Sequence, residues 1–454
     1  MTRGRPRAGR GTRHARALSL RGTRATLLAP ALGVVLGLVL GLVAPLATPS
    51  PAEAASRWRY PTGTEAERIC DHKVCVHRVT SGRHRATREW AELTLSFARR
   101  SWTTWVDELG FREPAGSPDA HGDERLHIYL ADVPDEQYGA TTISDALPGQ
   151  PRRARSWIAV DNDMAGYHGS PRANLASTIA HEFAHASQIN TDLAEDVWFM
   201  EATATWAETQ VFPEWPTNRR YLREGQQGRR TVPLDSANAG YGNFVLLERL
   251  TRVAGRDAVR QVWERLDAST GARDEWSLQA IAAVVQAHGT SWNDFYTGFA
   301  LANAVPSRFY PSRAAGRAGT PQRAVALGTR NRSSEEAARL PHLSARTSTF
   351  TLSSKSRKRR VQLTVRTSHR RHTGVALVVV RSDGTLRRVP LRFSAKGTAR
   401  VKVLVKRKRT KRLLLVTTNT SRAYRECGTS SGWACDGLPV HDRIRVAVHA
   451  RVVG

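Results

Sequence analysis

His181, Glu182 and His185 stand in the order H-E-x-x-H, and Glu201 and Glu208 follow downstream. Side chains four apart on a helix project from one face, one above the other, so two imidazoles at this spacing reach a single metal ion. The glutamate between them then lies beside the ion as a general base. A hydrolytic zinc site takes three protein ligands and keeps a position for water. Glu201, sixteen residues beyond His185, supplies the third if a turn through Asp192 lets a second helix, starting near Glu195, return antiparallel. Glu208 falls two turns further on nearly the same face, where it would support a ligand from outside the first ring of contacts. Leu175, Ile179, Phe183 and Ala186 form an apolar stripe, so the segment reads as a buried helix. A core helix with incidental histidines is the competing reading.

The stretch Thr178–Glu208 resembles the zinc-binding core of the gluzincin metallopeptidases, in which H-E-x-x-H is followed by a glutamate ligand on a second helix. The residues that carry the likeness are HEFAHASQ and then Trp198-Phe199-Met200-Glu201-Ala202, Trp206 and Glu208. With DVWFMEATATWAE, the pair is similar to a family of secreted bacterial metalloproteases that have a C-terminal β-domain. Ala202 stands where the aminopeptidase branch has glycine, and the gap to Glu201 is shorter than in thermolysin-type relatives. The resemblance implies a zincin-like catalytic domain, Zn2+ held by His181, His185 and Glu201, Glu182 as the base, and a peptide or protein substrate. In such enzymes a helix after the ligand helix often brings a Tyr or His to the oxyanion. Tyr241 has the position and chemistry for that role, and an ordinary packed tyrosine is the alternative.

The elements that have to position these residues can be read along the chain. Residues 1–25 carry eight Arg and no acid, Thr26–Ala47 is uncharged, and Ala52-Glu53-Ala54 fits a cleavage site. Residues 1–54 therefore read as a signal peptide, or as an anchor if uncleaved, and both place the rest outside the cell. Four cysteines agree with export, pairing most simply as Cys70 with Cys75 and Cys427 with Cys435. A metal knuckle of Cys70, His72, Cys75 and His77 is the rival. Ala86–Leu109 reads as an amphipathic helix with Trp90, Leu93, Phe97, Trp102 and Trp105 near one face. Arg125–Asp132 and Ser156–Asp161 read as strands of a mixed sheet, whose edge strand, running past the metal, would take substrate as an added strand. Asp161 and Asp163 read as a turn, with calcium binding as the alternative. Helices are expected over Ala258–Leu266, Ser277–Ala287 and Ser291–Ala304, closing the domain 55–314. After a linker, 315–345, seven short Val-, Leu- and Thr-rich runs from Thr347 to Val452 indicate an antiparallel β-sandwich over 346–454. The expected fold class is thus α+β.

The formal net charge of +29 is unevenly placed. Residues 351–412 hold 21 basic residues against one acid, Asp383, whereas residues 55–350 hold 35 of each sign. A face of that kind attracts polyanions such as an anionic cell-wall polymer, or is a non-specific solvated surface. No specific nucleic-acid motif is present. Two functions from different classes follow: a secreted zinc metallopeptidase, or a catalytically silent surface-binding protein acting through the basic β-domain.

Overall fold

A computed structural model describes residues 58–453 except 63, 120, 135–136, 317–318, 329, 354–357 and 407. The segment expected as a signal peptide, 1–54, lies outside the described residues. All described residues fall in one compact unit, and the architecture is α+β with a β-rich C-terminal part.

The N-terminal part opens with β1 (Ala66–Cys70) and β2 (Val74–Val79), which form a hairpin closed by the Cys70–Cys75 disulfide. Helix α1 (Arg88–Trp102) follows, capped by the Thr87 side chain and continued as a wider π-type turn over Thr103–Glu108. Then come β3 (Leu126–Ala131), β4 (Gly139–Leu147) and β5 (Gln150–Asp161), giving one mixed sheet in the order β1-β2-β3-β5-β4. The β2–β3 and β3–β5 pairs are parallel, and β4 is an antiparallel edge strand. Strand β4 and the first half of β5 lie between the expected strands Arg125–Asp132 and Ser156–Asp161, in a stretch where no strand was expected. These strands carry mixed polar residues, but the two residues between them are Pro148 and Gly149, the latter at φ 71°, the pairing a type II turn requires.

Helices α2 (Pro171–Ile189) and α3 (Val197–Val211) are enclosed almost all round, and so are their polar side chains. Ser170 caps α2 and Pro171 occupies its first turn, where a missing N–H costs nothing. Helices α4 (Val245–Ala254), α5 (Ala258–Arg265), α6 (Ser277–Ala287) and α7 (Trp292–Ala304) complete the helical part. Asp161 accepts from the backbone N–H of Asp163 and Met164, so this pair builds a turn.

The remaining strands are β6 (Arg323–Leu327), β7 (Ser333–Leu340), β8 (Ala345–Leu352), β9 (Lys358–Thr367), β10 (Thr373–Arg381), β11 (Leu386–Val389), β12 (Thr398–Lys406), β13 (Thr410–Asn419), the two-residue β14 (Tyr424–Arg425) and β15 (Leu438–Pro439), and β16 (Ile444–Val453). Strands β14 and β15 pair with each other, and the rest form sheets β11-β10-β13-β8-β6 and β12-β9-β16-β7, whose facing side chains, Leu363, Leu377, Leu413 and Val446 among them, make one core. Two strands, β6 and β7, lie inside the 315–345 stretch expected as linker. They are edge strands of alternating exposure: in SSEEAARL Glu335 and Arg339 point outward, whereas Glu336 is half-buried between Arg323 and Arg346, and this mixture hides the strand in the sequence. The pairing of β6 with β8 is parallel, so the sandwich is not purely antiparallel. The outer face of the five-stranded sheet is itself covered. Ala300, Leu301 and Ala304 of α7 pack on Val378, Val380, Leu414 and Val416, so the helical part and the sandwich share a core. Among the described residues, no helix is long and apolar enough to cross a membrane.

Candidate metal centre

The spacing of α2 puts His181 and His185 on one face, and α3 runs back along it. His181 meets Glu208 while His185 meets Glu201, the inverse order that antiparallel helices require. The turn between them is pinned by buried Asp192, which pairs with Arg152 and accepts from Ala194 N–H. Glu201 Oε2 lies 3.3 Å from His181 Nε2 and 3.6 Å from His185 Nε2, and the two nitrogens are 3.1 Å apart. All three residues are buried.

The other ring nitrogens fix the tautomers. His181 Nδ1–H donates to Glu208 Oε1 at 3.1 Å, and Glu208 Oε2 in turn accepts from the Thr217 hydroxyl at 3.2 Å. His185 Nδ1–H donates to Gln188 Oε1 at 2.7 Å, and Gln188 Nε2 donates to the Met200 carbonyl at 3.1 Å. Both Nε2 lone pairs therefore face one point beside Glu201 Oε2, a buried oxygen without a hydrogen bond of ordinary geometry. A tetrahedral ion at 2.0–2.1 Å from its ligands sets neighbouring donors about 3.4 Å apart, and the three separations scatter around that value. A zinc ion fits this donor set.

Electrostatics point the same way. Burial works against a proton on His181, but Glu201 and Glu208 outweigh it and push its pKa up to about 10. Burial alone would raise the Glu201 carboxyl, yet His185 and His181 hold it down at about 2. The pocket favours one positive charge between its ligands, whether proton or metal.

Glu182 sits on the flank of α2 nearest β4. The Thr141 hydroxyl lies 2.8 Å from Glu182 Oε2 and 2.9 Å from its carbonyl oxygen, joining the candidate base to the edge strand. Gly139 makes this approach possible, because a Cβ there would stand 2.8 Å from the Thr178 methyl and 2.9 Å from the Ala159 carbonyl. Tyr241 arrives from the loop before α4. Its ring stacks on His181 at 5.7 Å, its hydroxyl is hydrogen-bonded to Glu201, and burial followed by the Glu201 charge raises the phenol well above 10. The preceding Gly240 lies so close to α3 that a Cβ would meet the Trp198 carbonyl at 2.9 Å and Glu201 Cβ at 3.0 Å. Beyond Tyr241, Tyr221 packs at 5.1 Å and carries Arg220, whose Nη2 donates to its hydroxyl at 2.7 Å.

The six residues singled out by sequence thus meet in one place: His181, Glu182, His185, Glu201, Glu208 and Tyr241. Gln188, Thr141 and Thr217 were not foreseen. Gln188 stands one helical turn beyond His185 and was readable, whereas Thr141 depends on the overlooked hairpin. The Cys70–His72–Cys75–His77 knuckle does not form, since Cys70 and Cys75 are joined to each other. Cys427 and Cys435 form the second disulfide.

Residues 91–305 match a family of unknown function, DUF6055, which spans α1 to α7 and so includes this cluster. No curated protein matches the chain. Among solved structures, the pre-peptidase C-terminal domain of a collagenase from Bacillus anthracis is 10% identical, with 30% of this chain and 99% of that one covered at a TM-score of 0.19. A family GH115 4-O-methyl-alpha-glucuronidase with specificity for decorated arabinogalactans is 11% identical, with 62% and 38% covered at a TM-score of 0.16. At these scores neither likeness bears on fold or function.

Proposed function

We propose that the chain is an exported zinc-dependent peptidase whose centre is His181, His185 and Glu201. The observation that carries this reading is the convergence of two fixed imidazole lone pairs and one unpartnered carboxylate oxygen on a single point, with a second carboxylate, Glu182, at its side. Zinc bound there would supply Lewis acidity, polarising a carbonyl and lowering the pKa of water to near neutrality. Glu182 takes the proton from the attacking water and returns it to the leaving amine, while Thr141 holds its carboxylate in place. Glu208 and Gln188 keep the imidazoles in the ligating tautomer. Tyr241, still protonated at neutral pH, donates a hydrogen bond to negative charge that develops on the carbonyl oxygen. Strand β4, the edge of the sheet among the described residues and tied to Glu182 through Thr141, is where an extended peptide would add as a further strand. The paired cysteines suit an oxidising compartment.

The test is digestion of a peptide library by purified mature protein, with and without chelator and with zinc restored. Chelator-sensitive cleavage that returns with zinc is expected. A protein that binds zinc and cleaves no peptide would end the peptidase reading.

The sandwich adds a second activity to this reading, attachment to an anionic polymer. Arg360, Arg366, Arg400, Lys402, Lys406, Arg445 and Arg451 are all exposed, at alternate positions of the neighbouring strands β9, β12 and β16, and so form one basic face. Cell-wall binding that falls steeply with salt, and weakens in Lys402→Gln/Lys406→Gln while hydrolysis persists, is expected. Salt-insensitive binding unchanged in the variant would refute it.

A further inference from the structure

A second group of metal-type side chains lies on the N-terminal sheet, apart from the helix-borne centre. His77 is on β2, His127 on β3 and Asp119 in the loop before β3, and all three are buried. Strands β2 and β3 pair in parallel with His77 opposite Tyr129 and Cys75 opposite His127, so both histidines project from one face. That face carries Tyr129 and Trp157, whereas Thr141, which reaches α2, pairs with Ile158 on the other. His77 Nε2 is 2.8 Å from His127 Nδ1, and a donor atom from each of the three residues lies within 4.8 Å of the others.

The surroundings are those of a ligand set. His127 Nε2–H donates to the Asp123 carbonyl at 2.9 Å, which turns the Nδ1 lone pair toward His77. Tyr129 stacks on the His77 ring at 4.4 Å and holds its plane. Asp119 accepts from the backbone N–H groups of His121 at 2.7 Å and Asp123 at 3.0 Å, and from Arg68 at 2.9 Å. The cluster opens on a cleft of about 540 Å³ lined by His77, Asp119, His121 and Arg68, which gives an ion a way in and, in His121, a further donor. Without an ion, one proton shared between the two imidazoles satisfies both rings. An ion that displaced this proton would need the nitrogens only slightly further apart, about 3.0–3.4 Å for donors at 2.1 Å.

We propose that His77, His127 and Asp119 form a second metal site that takes a divalent transition-metal ion and ties Asp119 to the sheet. Two imidazoles and one carboxylate suit zinc, copper, nickel or iron in preference to calcium or magnesium. Arg68 is the group that the ion must displace from Asp119. Arg68→Gln should therefore keep or strengthen metal binding, whereas a merely structural His–His–Asp cluster would be indifferent to metal in every variant.

The experiment titrates zinc alone into the full mature chain carrying His185→Ala and Glu201→Ala, which dismantle the helix-borne centre. One equivalent should still bind and raise the unfolding temperature. Adding Asp119→Asn or His127→Gln should weaken it at least tenfold, and Arg68→Gln should not. Because His127 is wholly enclosed and its replacement can unfold the chain, anomalous scattering at the zinc edge from parent crystals gives a mutation-free readout. A peak between His77 and His127 supports the site. Its absence in zinc-soaked crystals, or no bound equivalent in the folded double variant, overturns it. Failure of the helix-borne centre reads out separately, as the same number of bound equivalents in the parent and in His185→Ala.

Discussion

Replacing Glu208 probes the tautomer lock on His181 without touching a proposed ligand. In Glu208→Ala the buried Nδ1–H of His181 loses its acceptor at 3.1 Å, and the half-buried Thr217 hydroxyl loses its partner at 3.2 Å. An orphaned buried donor costs about 1–3 kcal/mol of stability. The imidazole is also released to turn or to adopt the tautomer that carries its proton on Nε2, where no metal can bind. Loss of such a supporting carboxylate typically weakens metal affinity ten- to a hundredfold, about 1.4–2.7 kcal/mol. Glu208→Gln separates charge from geometry, because its amide oxygen can still accept from Nδ1–H, so less than about tenfold of affinity should be lost. Competition against a zinc-binding dye measures both variants beside the parent, with thermal unfolding as the control for folding. Undiminished zinc affinity in a folded Glu208→Ala chain would refute the assignment, and equal losses in both variants would refute the tautomer mechanism.

Two further outcomes follow from the packing around α3. Asp196, at the head of that helix, accepts from Cys435 N–H and Ser277, yet burial foremost raises its pKa to about 6. The folded state therefore holds a proton that the unfolded chain gives up near pH 4. Stability from this group is full below pH 4 and is lost as pH rises through 6, so urea midpoints should fall across that window, and less so in Asp196→Asn. Gly240→Ala places a methyl against the Trp198 carbonyl and Glu201, which should cost about 1–3 kcal/mol of stability. By shifting Tyr241, the same change should slow turnover more than it lowers zinc content, as assayed by hydrolysis and metal analysis on one preparation.

The pieces of the candidate centre were legible because each is encoded locally. A four-residue spacing fixes one helix face, and a short turn with a buried Asp192 obliges the next helix to come back along it. Even the apolar stripe on α2 understated the outcome, since from Ala173 onward the helix is buried on every side and its Asn174, Ser177, Ser187 and Gln188 side chains make internal hydrogen bonds. Elements whose stability comes from partners were harder to see. Strand β4 and the first half of β5 have few branched apolar residues and are announced only by Pro148-Gly149, and β6 and β7 gain their definition from β8 and β16. His77 and His127 are fifty residues apart and are joined by a parallel strand pair, which leaves no local pattern to read.

Glu182 offers the most direct test of the central claim. Glu182→Gln preserves the size of the side chain and its contact with Thr141 but removes the base, and Glu182 is not among the proposed ligands. Zinc content and peptide hydrolysis should be measured on the same purified samples of parent and variant. The account predicts parental zinc occupancy at the His181–His185–Glu201 centre with turnover lower by about two to four orders of magnitude. Undiminished hydrolysis by the zinc-loaded variant would contradict it.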